Sequence, residues 1–334
     1  MIHTIWFLVL SLMLVGYAVL DGFDLGVGAL HLLIGRTRED RRHLMEAIGP
    51  VWNGNEVWLL AAGGAMVVAF PSLYASSFSG FYLALMLVIW LLILRGLALE
   101  FRHQIANPLW QDAWDVTFSL SSVGLALLFG VAVGNVLRGV PLDADGRFSG
   151  SFALMLNPFA ILGGLLAVVT LAHHGASWLA LKTSGALRDR ARAWQRRLMP
   201  ATVIVVVSLV AASFVVRPEF TANFLAAPLL LVVPALGVFS LAALPWLVGR
   251  DDSRAFLASA GVIASLLGSA AAGLYPRLLP ALPGSPGPAL DIYNTAAPEG
   301  SMRIALGIYL FGMVFVAIYL RRVYRIWRGK VAAY

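Results

Sequence analysis

The chain contains no cysteine. Disulfides, iron–sulfur clusters and thiolate-held metals are therefore excluded within it, while the redox compartment stays open. Charge is also scarce, at 12% of residues against 60% hydrophobic. No long polar block occurs, so no extramembrane domain can form. With a mean hydropathy of +0.83, the chain reads as an all-α polytopic membrane protein, a single integral membrane domain over 1–334. The net charge of +7 is no argument for nucleic acid, because its distribution has a membrane explanation. The N-terminus lacks a basic region and an A-x-A-like site, so the first hydrophobic segment reads as a retained span. There is no P-loop, dinucleotide fingerprint, metal-spaced His/Glu motif or convincing internal repeat.

A window of ~19 residues predicts nine spans, near 4–33, 51–70, 78–100, 115–137, 157–181, 198–216, 226–248, 255–274 and 302–320. Pro158, Pro228, Pro234 and Pro245 interrupt or kink the later ones. Alternate loops differ sharply in Lys and Arg, with 18 on one side and 5 on the other. The rich side holds the 36–42 and 182–197 loops and the 321–330 tail. The positive-inside rule then puts the N-terminus outside and the C-terminus in the cytoplasm.

Four ionisable residues fall inside apolar stretches: Asp21 and Asp24 in the first, Glu56 in the second and Arg95 in the third. Each costs ~2.5–3.5 kcal/mol at bilayer depth on insertion scales, so each must pair, reach water or do chemistry. The predicted topology gathers them towards the cytoplasm, with Glu100, Asp112 and Asp115 close by. Asp21 and Asp24 are i,i+3, as are Asn53 and Glu56, so each pair shares a helix face. Gly22, Gly26 and Gly28 remove bulk and let a neighbouring helix approach.

Two readings follow. In one, Arg95 neutralises an acid and the cluster fixes helix packing. In the other, carboxylates carry protons inward from the cytoplasm, because burial and like-charged neighbours let them hold a proton near neutral pH. His173-His174 invites comparison with a haem ligand, but adjacent helical residues point ~100° apart, and a packing role fits better. Trp6, Trp110, Trp114 and Trp327 fall near span ends, as an aromatic belt does. Asn157-Pro158 and Tyr275-Pro276 read as outer turns, and 275–301 is the longest outer loop.

The motifs 21–28 (DGFDLGVG) and 49–59 (GPVWNGNEVWL), with Ser79-Gly80-Phe81-Tyr82, Arg95-Gly96, Glu100-Phe101-Arg102 and His174-Gly175-Ala176, resemble subunit II of cytochrome bd-type quinol oxidases. The likeness covers nearly the whole chain, and the first two motifs are the specific ones. It implies a nine-helix subunit in the bacterial cytoplasmic membrane, paired with a related subunit I that carries the haems, b and d, and the quinol-oxidising loop. This chain is then expected to bind no haem or metal itself and to contribute part of a cytoplasmic proton path through Asp21, Asp24, Asn53, Glu56 and Glu100, with Arg95 as buried charge partner. Small single-span subunits, and a quinone or lipid bound to this chain, are compatible with the resemblance.

One position departs from the pattern. Asn53 stands where the family commonly has aspartate, and an amide does not titrate, so Glu56 is expected to carry the load or the route differs. The rival reading is a proton- or ion-coupled transporter or channel, against which stands the confinement of the acids to the first half without repeated broken helices.

Overall fold

Several helix starts are written directly into the sequence. Asn107-Pro108 and Asn157-Pro158 each place an asparagine cap before a proline at the first helical position, where the missing N–H costs nothing. Asn107 accepts from the amides of Leu109 and Trp110, and Asn157 from that of Ala160. Asp251 caps a third helix by accepting from the Arg254 amide at 3.0 Å.

The computed structural model describes residues 1–331. The last residues of the 1–334 domain, and the chain end expected in the cytoplasm, lie outside the described residues. In chain order the helices are α1 (Ile2–Ile34), α2 (Arg38–Glu46), α3 (Trp52–Ala69), α4 (Pro71–Gly80), α5 (Tyr82–Phe101), α6 (Pro108–Arg138), α7 (Phe152–Met155), α8 (Pro158–Lys182), α9 (Gly185–Val216), α10 (Ala222–Ala226), α11 (Val232–Leu247), α12 (Asp252–Leu274) and α13 (Glu299–Ile326). Short 3-10 turns at Pro218–Thr221 and Pro228–Leu231 flank α10. The loop before α13 carries a two-stranded antiparallel ribbon, β1 (Arg277–Leu279) with β2 (Leu290–Asp291).

Among the described residues, eight helical segments are long and apolar enough to cross a membrane: α1, α5, α6, α8, α9, Pro228–Leu247, α12 and α13. The chain is therefore a polytopic helical membrane protein. The predicted second span coincides with α3, which has 18 residues. Asn53, Asn55 and Glu56 keep it out of the apolar set, so the residues that make this helix chemically interesting also weaken its hydropathy signal. The predicted third span is divided at Phe81 into α4 and α5. The predicted sixth span is the second half of α9, whose first turns extend the helix through the basic 185–197 segment. The short, polar helix α2 buries Leu44 and Met45 and starts at a capping box, Thr37 with Asp40.

The helix ends sort into two groups. At one end, Arg190 donates to the Ile34 carbonyl and to both Asp40 oxygens, and Arg188 and Arg192 converge on Asp252. Arg102 reaches the Arg38 carbonyl, and Lys182 bonds the Gly329 carbonyl at 3.1 Å. Asp40 illustrates the balance there. Partial burial pushes its pKa up, yet Arg190 and the amides of Thr37 and Arg36 outweigh this and hold it below the ordinary carboxylate range. At the other end, Thr4 bonds Tyr275, Ala297 bonds the Ala69 carbonyl, and Arg217 reaches the carbonyls of Arg138 and Ala281.

α1 packs against α3, α6, α8 and α12. Its crossing with α8 is backbone on backbone: a Cβ built on Gly26 falls 1.9 Å from the Leu171 carbonyl oxygen, and one on Gly175 falls 2.3 Å from the Gly26 carbonyl carbon. This is the close approach expected from Gly26. On the same side Phe23 stacks on Trp178 with centroids 4.0 Å apart, and the indole N–H bonds the Ala47 carbonyl at 3.0 Å. Trp6 corrects the aromatic-belt expectation. It is only 2% exposed and donates to the Met302 carbonyl at 3.1 Å, so it packs between helices. Trp327, 56% exposed, keeps the peripheral position.

Candidate proton-conducting site

Polar residues recur along α1 at Tyr17, Asp21, Asp24 and His31, with Gly28 in register. Steps of four, three, four and three residues keep them on one face of a helix. All four polar residues are buried. Each meets a partner supplied by a neighbouring helix, or ends without one.

Asp21 and Arg95 form a two-toothed ion pair. Arg95 Nη1 donates to Asp21 Oδ2 at 2.8 Å and Nη2 donates to Oδ1, with both residues essentially excluded from solvent. Paired donors in a fixed fork hold the carboxylate in one orientation. The expectation that Arg95 neutralises an acid is met at Asp21.

Asp24 is left differently. Its Oδ2 accepts from Asn55 Nδ2 at 2.8 Å, and Asn55 Oδ1 accepts from Tyr324 Oη at 2.9 Å, which links α1, α3 and α13. Oδ1 of Asp24 is buried and has no partner, as are Tyr17 Oη and Arg95 Nε nearby. A buried polar atom without a hydrogen bond is costly, ~1–3 kcal/mol each. Donors and acceptors of this kind gathered in one place suit a water or a passing proton.

The other expected residues are distributed less tightly. Glu56 is half-buried, one turn along α3. Asn53 is exposed, and the buried amide facing Asp24 is Asn55, two residues on. Glu100 is also exposed, outside the cluster. The expected residues therefore do not form one buried cluster. Asp115 instead belongs to a second buried group: it accepts from Arg102 Nε at 2.5 Å and Nη2 at 3.1 Å, lies 2.7 Å from His31 Nε2, and has Arg41 at 3.4 Å. Arg38 and Arg41 pair with the partly exposed Asp112 at the rim.

Asn55, His31 and Arg102 are the residues that sequence reasoning passed over. The signal for His31 was present, since it stands seven residues, two helical turns, beyond Asp24. Asn55 lay inside the quoted motif, but nothing in the motif says which of two amides turns inward.

In the histidine pair of α8, His174 is not free to act as an axial haem ligand. His174 Nε2 donates to the Val19 carbonyl at 3.0 Å, Nδ1 lies 2.6 Å from Ser259 Oγ, and the ring stacks on Phe256 with centroids 4.7 Å apart. Both nitrogens are engaged. His173 is buried beside it. Among the described residues no group of three or more His, Asp or Glu is placed to hold a metal ion.

Relatives share this framework. A family model described as cytochrome bd terminal oxidase subunit II matches residues 2–327. The probable cytochrome oxidase subunit 2 of Haemophilus influenzae is 38% identical, over 97% of this chain and 92% of that protein. Subunit 2 of the cytochrome bd-I ubiquinol oxidase of Escherichia coli is 35% identical over 83% of this chain and 81% of its own length. Subunit 2 of the Bacillus subtilis cytochrome bd ubiquinol oxidase is 32% identical over 83% and 82%. The solved bd oxidase of Geobacillus thermodenitrificans has a chain of the same fold, with a TM-score of 0.77 at 21% identity, covering 97% of this chain and 98% of that one. The oxidase reading thereby prevails over the transporter one. With its buried polar column and its run of apolar helices, the chain belongs to the cytochrome bd terminal oxidase subunit II family, and is an inner-membrane subunit of a respiratory quinol oxidase.

Proposed function

We propose that this chain is the haem-free subunit of the complex, assembles with a haem-bearing subunit I, and delivers protons from the cytoplasm for reduction of oxygen to water. The observation that carries the reading is the unpartnered, buried Oδ1 of Asp24 beside the Asp21–Arg95 pair. A carboxylate with one oxygen anchored by Asn55 and the other free can accept a proton without breaking its support. Glu56, half-buried on α3, is the next acid of the proposed path; Asn53 and Glu100 stand at the margins as exposed groups. Haems b and d belong in subunit I, and quinol oxidation with them.

Asp24→Asn keeps the shape and the Asn55 contact while removing the titratable group. Quinol-driven oxygen uptake is expected to fall about tenfold or more, equivalent to ~1.4 kcal/mol of barrier, at unchanged haem content. Parental turnover in an assembled Asp24→Asn complex would return the cluster to a packing role.

The same reading takes α3 as a ninth crossing and places the Arg-rich end in the cytoplasm. Reporter fusions after Glu39 and after Arg328 are expected to read cytoplasmic, and fusions near Asp145 and Pro286 external. Fusions after Glu39 and Arg328 that report opposite sides would mean that one crossing has been miscounted.

A further inference from the structure

Asp24 Oδ1 and His31 Nδ1 are among the buried polar atoms on this face of α1 that lack partners. Seven residues separate them, a rise of ~10 Å. Gly28 stands between, and its missing side chain is replaced by another group. A Cβ built there falls 2.0 Å from Ser122 Oγ, so the serine hydroxyl of α6 occupies that volume. Ser122 is seven residues beyond Asp115 on α6, and Asp115 holds the far side of the His31 ring at 2.7 Å. Two antiparallel columns therefore face each other, with His31, Gly28 and Asp24 on α1 against Asp115, Phe118 and Ser122 on α6. Phe118 meets the His31 ring edge-on at 5.1 Å and closes the side of the column.

We infer that His31 and Ser122 form the inward relay that feeds Asp24, with Asp115 handing the entering proton to His31 while it holds the ring in place. This deepens the proton-delivery reading above and rests on it. From the level of Gly28 the rise is ~6 Å to Asp24 and ~4.5 Å to His31. With hydrogen-bond steps of ~2.8 Å, one water on each side of the hydroxyl completes the chain. Ser122 suits the midpoint because a hydroxyl both donates and accepts, and its present bond to the Phe118 carbonyl at 2.7 Å leaves its lone pairs open. Imidazole suits the cytoplasmic end because its two nitrogens can take a proton on one side and release one on the other.

A proton taken from solvent at the Arg41 rim passes from the Asp115 carboxylate to Nε2. The ring's Nδ1 proton leaves through water and Ser122 to Asp24. One proton enters and one leaves, no electron moves, and the ring returns to its starting tautomer by rotation or proton exchange. Arg102 and Arg41 keep Asp115 fixed throughout.

The test uses the purified, assembled complex. His31→Gln keeps a donor for Asp115 but cannot carry a proton through the ring. Ser122→Val carries no hydroxyl, and Ser122→Thr, of nearly the same shape as valine, restores one. Expected are parental haem content in all three, oxygen uptake about tenfold slower in His31→Gln and Ser122→Val with a larger solvent deuterium isotope effect, and a near-parental rate in Ser122→Thr. Haem reduction by quinol without oxygen should be unchanged. Parental uptake in His31→Gln and Ser122→Val, alongside a slow Asp24→Asn, would overturn the relay while leaving the carboxylate path standing. Parental uptake in all of them would remove both. Loss of haem, or slower uptake with an unchanged isotope effect, would mark a packing role and also overturn the relay.

Discussion

Replacing Arg95 with leucine is expected to abolish assembly of the complex. The substitution leaves Asp21 charged or forces it to take up a proton, inside a site from which both partners are essentially excluded from water. Removing one member of a buried pair costs ~3–5 kcal/mol, because the survivor keeps its desolvation penalty without its counter-charge. A second substitution separates charge from shape. Asp21→Leu in the Arg95→Leu background removes the orphan, and yield of the complex is expected to recover substantially, since a well-packed apolar pair often matches a buried ion pair in stability. Turnover should not recover with it if Asp21 belongs to the proton path. Co-purification of subunits and haem absorbance per complex measure the first effect, and oxygen uptake the second. A singly substituted Arg95→Leu complex formed in parental yield would contradict the ion pair as described.

Gly26→Ala is expected to be nearly as damaging, although it adds a single methyl group. That methyl would lie 1.9 Å from a main-chain oxygen of α8, and neither backbone can rotate out of the way. The helices must separate, which costs ~1–3 kcal/mol for ordinary overpacking and more where backbone is struck. Separation would also draw α1, with Asp21 and Asp24, off its neighbours. Gly63 and Gly64 on α3 provide the contrast, since an added Cβ at either meets nothing within 4 Å. Alanine there should be neutral or slightly stabilising, by up to ~1 kcal/mol of helix propensity. Thermal stability of the assembled complexes orders the variants. Equal stability of Gly26→Ala and Gly63→Ala would refute the close crossing.

The part of the fold legible in the sequence was the part governed by local rules. Apolar runs located the long helices, while the caps at Asn107, Asn157 and Asp251, which are matters of immediate neighbours, set starts that the apolar runs alone do not report. The pairing of Arg95 with an acid followed from the cost of leaving either charge alone in lipid. Rotational phase was harder to judge. Asn53 and Asn55 sit two residues apart in one motif, and α3 turns only the second towards Asp24, a choice made by its packing against α1. Glu100 closes the apolar run of α5 and was expected close to the buried charges, yet its helix presents it outward. The Asp115–His31–Arg102 group escaped notice because its members come from α6, α1 and the end of α5. No spacing within one segment announces it. Its trace on α1 was legible in principle, as the regular recurrence of Tyr17, Asp21, Asp24 and His31.

Six of the basic residues that bias the sequence to one side do not remain as free charge. Arg188 and Arg192 share Asp252, Arg190 holds Asp40 and the end of α1, and Arg38, Arg41 and Arg102 are bound to Asp112 and Asp115. A free arginine near an anionic leaflet is worth ~1 kcal/mol of attraction to its lipids, and these six spend that attraction on carboxylates of their own chain. The charges that would hold the loops back during insertion thus become struts once the helices meet. The finished subunit would present its membrane with far less positive potential than a count of its arginines suggests.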